Sequence, residues 1–448
     1  MSTDLHAALD PQDVFPTLKK SILVDGYSLV VDLKKSKGST LVDAATGKSY
    51  LDFYTYFASL PLGHNHEAMF EPAFQKKLMR AAISNPANSD VYTVEYAEFV
   101  HSLQRVAQRD YLDHAFFVAG GGLAVENTLK AAFDWKTRKN LKAGVHAEYG
   151  MQVLHFKQAF HGRTGYTLSI TNTSDPRKTM YFPKFDWPTI DNPKIVFPME
   201  GENLELTKAW ECAASRQIRS ACEKHGPGIA ALIIEPIQGE GGDNHFRNEF
   251  MRELRQLSDE FEFILIYDEV QTGVGLTGKF WAHEHFGPDA RPDAISFGKK
   301  MQVCGMLAGP KFEEIDDHVF NVSSRINSTW GGNLVDMVRS QQILDTIESE
   351  NLVENARLRG ETLLNALQEL EKRNDLVSQA RGKGLMCAFD LPDGEMRDRV
   401  LESARNHGLL GLGCGDQSIR FRPALTITDA EITKGVDILE EAIQNLYG

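Results

Sequence analysis

The segment FILIYDEVQTGVGLTGKFWAHEHFGPDARPDAISFGKK, residues 263–300, decides the fold. It opens with an apolar run, FILIYDEV (263–270), and closes with a second, DAISFG (293–298). Apolar runs this short and unbroken suit strands buried on both faces, and the stretch between them is long enough for a crossover. Working outward, the same pattern recurs in HAFFVA (114–119), QVLHF (152–156), KIVFP (194–198), AALIIEP (230–236) and MLAGP (306–310). Helical patterns lie between several of these runs, such as AVENTLKAAFDWKTR (124–138) and NEFMRELRQLSDEF (248–261). Strands alternating with helices predict an α/β fold around a mostly parallel sheet. Ligands in such folds sit beyond the carboxyl ends of the strands.

The flanks read differently. STLVDAATGKSYLDF predicts a hairpin turning at Ala45-Thr46-Gly47. After residue 333 a long helical stretch leads to two more strands, GLMCAFDL and SIRFRPAL. This is the pattern of a smaller α+β domain. The expected division is an N-terminal segment of the small domain (1–60), a large domain (61–333) and a C-terminal small domain (334–448).

Composition narrows the function classes. The 448 residues carry a net charge of −14, against the basic face a nucleic-acid binder needs, so no nucleic-acid partner is expected. The N-terminus MSTDLHAALDPQDVF shows no basic and apolar signal pattern, and the apolar run IAALII (229–234) is too short for a bilayer. No membrane association and a cytoplasmic location are expected. Five cysteines without a C-x-x-C pair argue against a disulfide framework or a Cys-type zinc site. The pairs His64/His66 and His283/His285 read as loop and helix-end residues, and no metal is expected.

Three features carry chemistry. In VAGGGLAVENTLKAAFDW (118–135) a strand runs through three glycines into a helix. Backbone N–H groups and the helix dipole there can hold a phosphate, although the run is neither G-x-G-x-x-G nor a Walker loop. Alone, it reads equally as a tight turn. Asp268 closes one apolar run, and Lys299 and Lys300 follow the next. Adjacent parallel strands would present acid and amine at one edge, where a neutral amine can form a Schiff base. Phosphate cradle, lysine and acid together are what pyridoxal 5'-phosphate requires.

At this point a family resemblance becomes visible. EPIQGEGG, YDEVQTGVGLTGKFWAHE, PDAISFGKK and STWGGN resemble, in order and spacing, the class III (omega) aminotransferases of fold type I. FVAGGGLAVENTLKAAFDWK, FHGRTGYTLSITNT and GKKMQVCGMLAGP resemble the L-lysine 6-aminotransferase branch, with the 4-aminobutyrate and ornithine branches as the alternative. The resemblance implies pyridoxal 5'-phosphate as cofactor, L-lysine and 2-oxoglutarate as substrates, and a homodimer with a shared active site. It makes Lys299, six residues after Asp293, the Schiff-base lysine, and leaves Lys300 a structural or surface group. An extended chain at this point would send the two lysines to opposite sides.

The same resemblance implies that Asp268 pairs with the pyridine nitrogen and Gln271 bonds near the phenolic oxygen. Phe160 stacks on the ring, and Gly121 and Gly122 offer N–H groups to the phosphate. Thr329 reaches that phosphate from the other subunit. Relatives often carry serine or threonine where Gly122 stands. For the substrates, Arg163 holds the distal carboxylate of 2-oxoglutarate or that of lysine, and Arg420 holds the carboxylate beside the keto group. Glu240 neutralises Arg420 when lysine is bound. Arg422 reads as part of a structural ion pair. Two rival readings are a nicotinamide oxidoreductase, from the glycines at 120–122 and GLGCG (411–415), and a catalytically inactive binding protein. Neither glycine run has the fingerprint spacing, and the intact Lys299 and Asp268 argue against the second.

Overall fold

The computed structural model describes residues 9–447. Residues 1–8, where the reading of no secretory signal largely falls, and residue 448 lie outside them. Among the described residues, fourteen strands form three sheets. β1 (Thr40–Val42) and β2 (Ser49–Asp52) form the hairpin expected from the sequence. The central sheet takes β3 (His114–Val118), β4 (Gln152–Phe156), β5 (Thr189–Ile190), β6 (Ile229–Ile234), β7 (Ile264–Asp268), β8 (Ala294–Phe297) and β9 (Cys304–Ala308). Its order is β3-β9-β8-β7-β6-β4-β5, and the five strands from β8 to β5 are mutually parallel.

Alternation explains the unbroken apolar runs. Ile264 and Ile266 of β7 pack on one face with Val125, Leu129 and Ala132 of the helix Gly121–Lys142. Leu265 and Tyr267 pack on the other face with Phe250, Leu254 and Leu257 of the helix Asn248–Glu260. Both faces exclude water, so every residue of the strand must be apolar until Asp268 at its end.

The sheet is mostly parallel, as expected, and one strand reading needs correction. β9 is the antiparallel member, running against both neighbours, β8 and β3. Only Gly298–Val303 separates β8 from β9, far less than the dozen or so residues a parallel crossover needs. The segment 194–198 is not a strand. Its N–H groups donate instead to the carbonyl of His245 at 2.9 Å (Ile195), the Thr207 hydroxyl at 3.3 Å (Val196) and the Gln379 side chain at 2.8 Å (Phe197).

The remaining strands are β10 (Ser378–Lys383), β11 (Met386–Asp390), β12 (Leu409–Leu410), β13 (Leu412–Cys414) and β14 (Ser418–Phe421). β10-β11-β14-β13 form an antiparallel sheet, and β12 adds in parallel to β2. The N-terminal hairpin is thereby stitched to the C-terminal part of the chain. Among the described residues no helix is long and apolar enough to cross a membrane. All five cysteines are free thiols.

Candidate active site

The carboxyl edge of the central sheet gathers the chemistry. β3 ends at the glycines, β4 leads to Phe160 and His161, β6 to Glu235, β7 ends in Asp268, and β8 leads to Lys299. A cavity of about 190 Å³ is lined there by Gly121, Gly122, Phe160, His161, Glu235, Asp268, Gln271 and Lys299. A wider cavity of about 1180 Å³ shares Phe160, Gln271 and Lys299 and adds Arg163, Lys178, Glu240 and Arg420. Every candidate residue predicted from the sequence meets at these two cavities except Thr329. That residue is exposed, and its carbonyl accepts from Ser89 Oγ at 2.9 Å.

The two lysines do not lie on an extended chain. Lys299–Met301 is a 3-10 turn, with Lys299 at φ 48° and Gln302 at φ 67°. The turn, rather than strand alternation, separates the amines. Lys299 faces the cavity, and burial lowers its amine to about 8, with Arg420 and Arg422 pressing the same way. Lys300 is buried rather than on the surface. Its Nζ donates to the carbonyls of Gln271 at 2.6 Å and Ala58 at 3.4 Å. Ala58 ends a left-handed turn, Thr55–Ala58, in which all four residues have positive φ. Such backbone costs roughly 1–2 kcal/mol per residue. Gln302 Nε2 donates to the carbonyl of Ser59 at 2.8 Å, and Thr55 Oγ1 to that of Arg422 at 2.5 Å, so the turn is clamped from two sides. It carries Tyr56 and Phe57 into the wall of the wider cavity.

Behind the smaller cavity stands a buried polar chain that sequence reading missed. His161 Nδ1 lies 2.7 Å from Asp268 Oδ2, while the ring's Nε2 has no hydrogen-bond partner. Asp268 Oδ1 accepts from the N–H of Val270 at 3.1 Å. Glu235 accepts from the N–H groups of Phe160 at 2.9 Å and Gly239 at 3.0 Å. Burial pushes the Glu235 carboxyl up to about 7; the His161 ring opposes that rise, and the Asp268 carboxylate adds to it. The F-H-G triplet was the available signal for His161, but no spacing ties it to Asp268.

The arginine end departs from expectation in two places. Glu240 does not pair with Arg420. Its carboxylate meets the Lys178 amine and accepts from Thr173 Oγ1 at 3.0 Å. Gln271 turns its side-chain oxygen toward two guanidinium groups, accepting from Arg420 Nη1 at 3.2 Å and from Arg422 Nε at 3.1 Å. Two cations compete for that oxygen, which holds the amide on the arginine side. Arg422 does form the structural pair expected of it, with Asp243 at 2.5 Å. Arg163 stands over Phe160, 5.9 Å from the ring centroid.

The donor set fits a phosphorylated aromatic aldehyde. It offers an amine whose pKa is lowered to about 8, a carboxylate at the end of the neighbouring parallel strand, an aromatic wall and a glycine-started helix. A Cβ at Gly121 would lie a tight 3.1 Å from Val270 Cγ1, whereas one at Gly122 would meet Thr164 Oγ1 at an ordinary 3.4 Å, so close approach of backbone is favoured most at Gly121. The histidines of both H-x-H pairs are held by protein groups: His64 by Asp52, His66 by Glu350, His283 by Glu269 and His285 by the Thr277 carbonyl.

Residues 23–443 match the family model Aminotransferase class-III. The chain belongs to the class-III aminotransferases. The family's cofactor, pyridoxal 5'-phosphate, is the one this site is built for. Among curated members, the chain is 49% identical over 435 residues to an L-lysine-epsilon aminotransferase of Mycobacterium tuberculosis, covering 97% of this chain and 96% of that one. It is 47% identical over 440 residues to the Amycolatopsis lactamdurans protein of the same name, covering 98% and 97%. The mitochondrial 4-aminobutyrate aminotransferase of Sus scrofa is 33% identical over 415 residues, covering 88% and 81%. A solved structure of lysine aminotransferase from M. tuberculosis in the internal aldimine form superposes with a TM-score of 0.95 at 49% identity, covering 98% of this chain and 100% of that one. The class-III aminotransferase fold is therefore the fold-type-I architecture expected from the sequence.

Proposed function

We propose that the protein is an L-lysine 6-aminotransferase. It moves the ε-amino group of L-lysine to 2-oxoglutarate, giving L-glutamate and 2-aminoadipate 6-semialdehyde. One observation carries this reading: Arg163 and Arg420 line a single cavity that also reaches Lys299. Two guanidinium groups on one cavity suit substrates whose carboxylates differ in position, since arginine anchors a carboxylate through two parallel hydrogen bonds. The 47–49% identity to lysine-epsilon aminotransferases, against 33% to the 4-aminobutyrate enzyme, supports the same choice.

Each residue then has a task. Arg163 holds the carboxylate of lysine, so that the far amine points toward Lys299. Arg420 holds the carboxylate beside the keto group of 2-oxoglutarate, and Arg163 its distal carboxylate. Pyridoxal phosphate, when bound, supplies an electron-withdrawing ring that acidifies the C–H bond beside the reacting nitrogen. Asp268 would keep the ring nitrogen protonated, Phe160 would pack on the ring, the N–H groups of Gly121 and Gly122 would hold the phosphate, and Gln271 would serve the phenolic oxygen. The amine of Lys299 takes the proton from the substrate carbon and returns it across the ring face.

The same reading includes a homodimer, located in the cytoplasm, in which Thr329 completes the partner's phosphate cradle. The exposure of Thr329 and its absence from the lining of both cavities support that placement. It also includes the division of the chain at residues 60 and 333, supported by the pairing of β2 with β12.

A panel of amino donors with 2-oxoglutarate tests the function. Lysine is expected to give the highest kcat/KM, above ornithine and 4-aminobutyrate. A higher value for either of the others overturns the assignment of donor.

A further inference from the structure

We propose that Lys178 is a second seat for the Glu240 carboxylate, and so sets how readily a dicarboxylate reaches Arg420. The inference rests on the two-arginine reading above and assigns a residue that reading leaves without a role.

Glu240 and Arg420 line the same cavity, yet they do not pair. The Glu240 oxygen Oε1 takes both the Lys178 amine and the Thr173 hydroxyl. Lys178 Nζ also lies 3.4 Å from Thr173 Oγ1, so the three groups close a small ring. Arg420 is 5% exposed, and its recorded partner is the neutral Gln271 oxygen. Its Nε has no hydrogen-bond partner. A buried guanidinium without a carboxylate is costly and therefore ready for one that arrives from outside.

The chain builds this seat deliberately. Asp175 caps the turn Pro176–Lys178 by accepting from the N–H of Arg177 at 3.1 Å. The same carboxylate clasps the Arg177 guanidinium at 2.9 and 3.1 Å. That turn lines the cavity and leaves Lys178 as the cation aimed at Glu240. Lys178 and Glu240 are each about one-quarter exposed, so water weakens their attraction. The two seats then lie close in free energy, which is what a carboxylate that must change partner in every cycle requires. Glu240 rests on Lys178 while a dicarboxylate occupies Arg420. It turns to Arg420 when the aliphatic chain of lysine lies there.

Glutarate, which has the acceptor's two carboxylates and no keto group, tests this by calorimetric titration of the holoenzyme. Lys178→Met removes the cation on which Glu240 rests and leaves it free to turn to Arg420. Glutarate is then expected to bind about three- to tenfold more weakly, and the 2-oxoglutarate half-reaction to slow more than the lysine half-reaction. Lys178→Arg, which keeps the charge, should restore binding. Lys178→Met in a Glu240→Ala background should bind glutarate as tightly as Glu240→Ala alone. Wild-type binding by the single Lys178→Met variant overturns the proposal and leaves the function untouched. A loss that persists without Glu240 also overturns it, because Lys178 would then touch the dicarboxylate directly. Arg420→Ala is the separate control: if it binds glutarate normally, the arginine assignment itself fails.

Discussion

The amine of Lys300 donates a 2.6 Å hydrogen bond to the backbone carbonyl of Gln271, the residue whose side chain lies between Arg420 and Arg422. The second lysine of the pair is therefore a brace. It ties the arginine side of the cavity to the left-handed turn that carries Tyr56 and Phe57.

The two lysines should separate cleanly on substitution. Lys299→Ala is expected to lose the visible absorption band of lysine-bound cofactor together with turnover. Lys300→Met should keep the band but lose about 1–3 kcal/mol of stability, because buried carbonyls are left without a donor. Its KM values should rise as the turn loosens. Absorbance and denaturant unfolding check both, and a band that survives without Lys299 would exclude it as the Schiff-base residue.

Asp268→Asn should lower kcat severely. A charge-assisted hydrogen bond contributes about 1.5–3 kcal/mol, so the loss should be at least roughly ten- to a hundredfold. Steady-state rates measure it. Activity near normal would mean that another group faces the ring nitrogen.

The half-reactions, followed separately by the cofactor spectrum, distinguish the anchors. Arg420→Ala should cripple the step with 2-oxoglutarate and spare that with lysine. Arg163→Ala should slow both. Glu240→Ala should slow lysine more, by at most a few kcal/mol in this partly wet site. Equal slowing of both steps by Glu240→Ala would make it a structural support.

Cofactor uptake by the apoenzyme should depend on pH through Lys299. The neutral amine is the nucleophile, and its pKa is lowered from 10.5 to about 8. Below pH 8 the amine is protonated, so the uptake rate should fall roughly tenfold per unit. Above pH 8 it should level off, whereas an ordinary lysine would keep gaining until beyond pH 10. Removing the positive neighbour in Arg420→Ala should move the midpoint upward. Stopped-flow absorbance across pH 6–10 measures it.

Much of this architecture was legible because burial on both faces leaves little choice of residue. Ile264, Leu265, Ile266 and Tyr267 could be read as a strand without any knowledge of what covers them. Asp268 stood out as the carboxylate that breaks the run. What escaped the reading depends on partners distant in the chain. Ile195, Val196 and Phe197 have strand-like side chains, but their N–H groups are claimed by residues 207, 245 and 379. The pairing of His161 with Asp268 spans 107 residues, and that of Lys178 with Glu240 spans 62. No local pattern encodes either. The direction of β9 could have been deduced from the short connection before it.

The turn at Lys299 also fixes the reach of its amine. The residue sits where β8 reverses into β9, with backbone bonds from Met301 to Gly298 and from Gln302 to Lys299 pinning the loop. Both flanking strands belong to the central sheet, which anchors the Cα. In the proposed role the amine would then be a base on a short leash, confined to a few ångströms around its anchor. Such confinement makes the proton transfer effectively unimolecular, so the amine would act as if present at a concentration above that of a buffer in solution. Small amines added to a Lys299→Ala enzyme would have to replace that confinement by mass action alone.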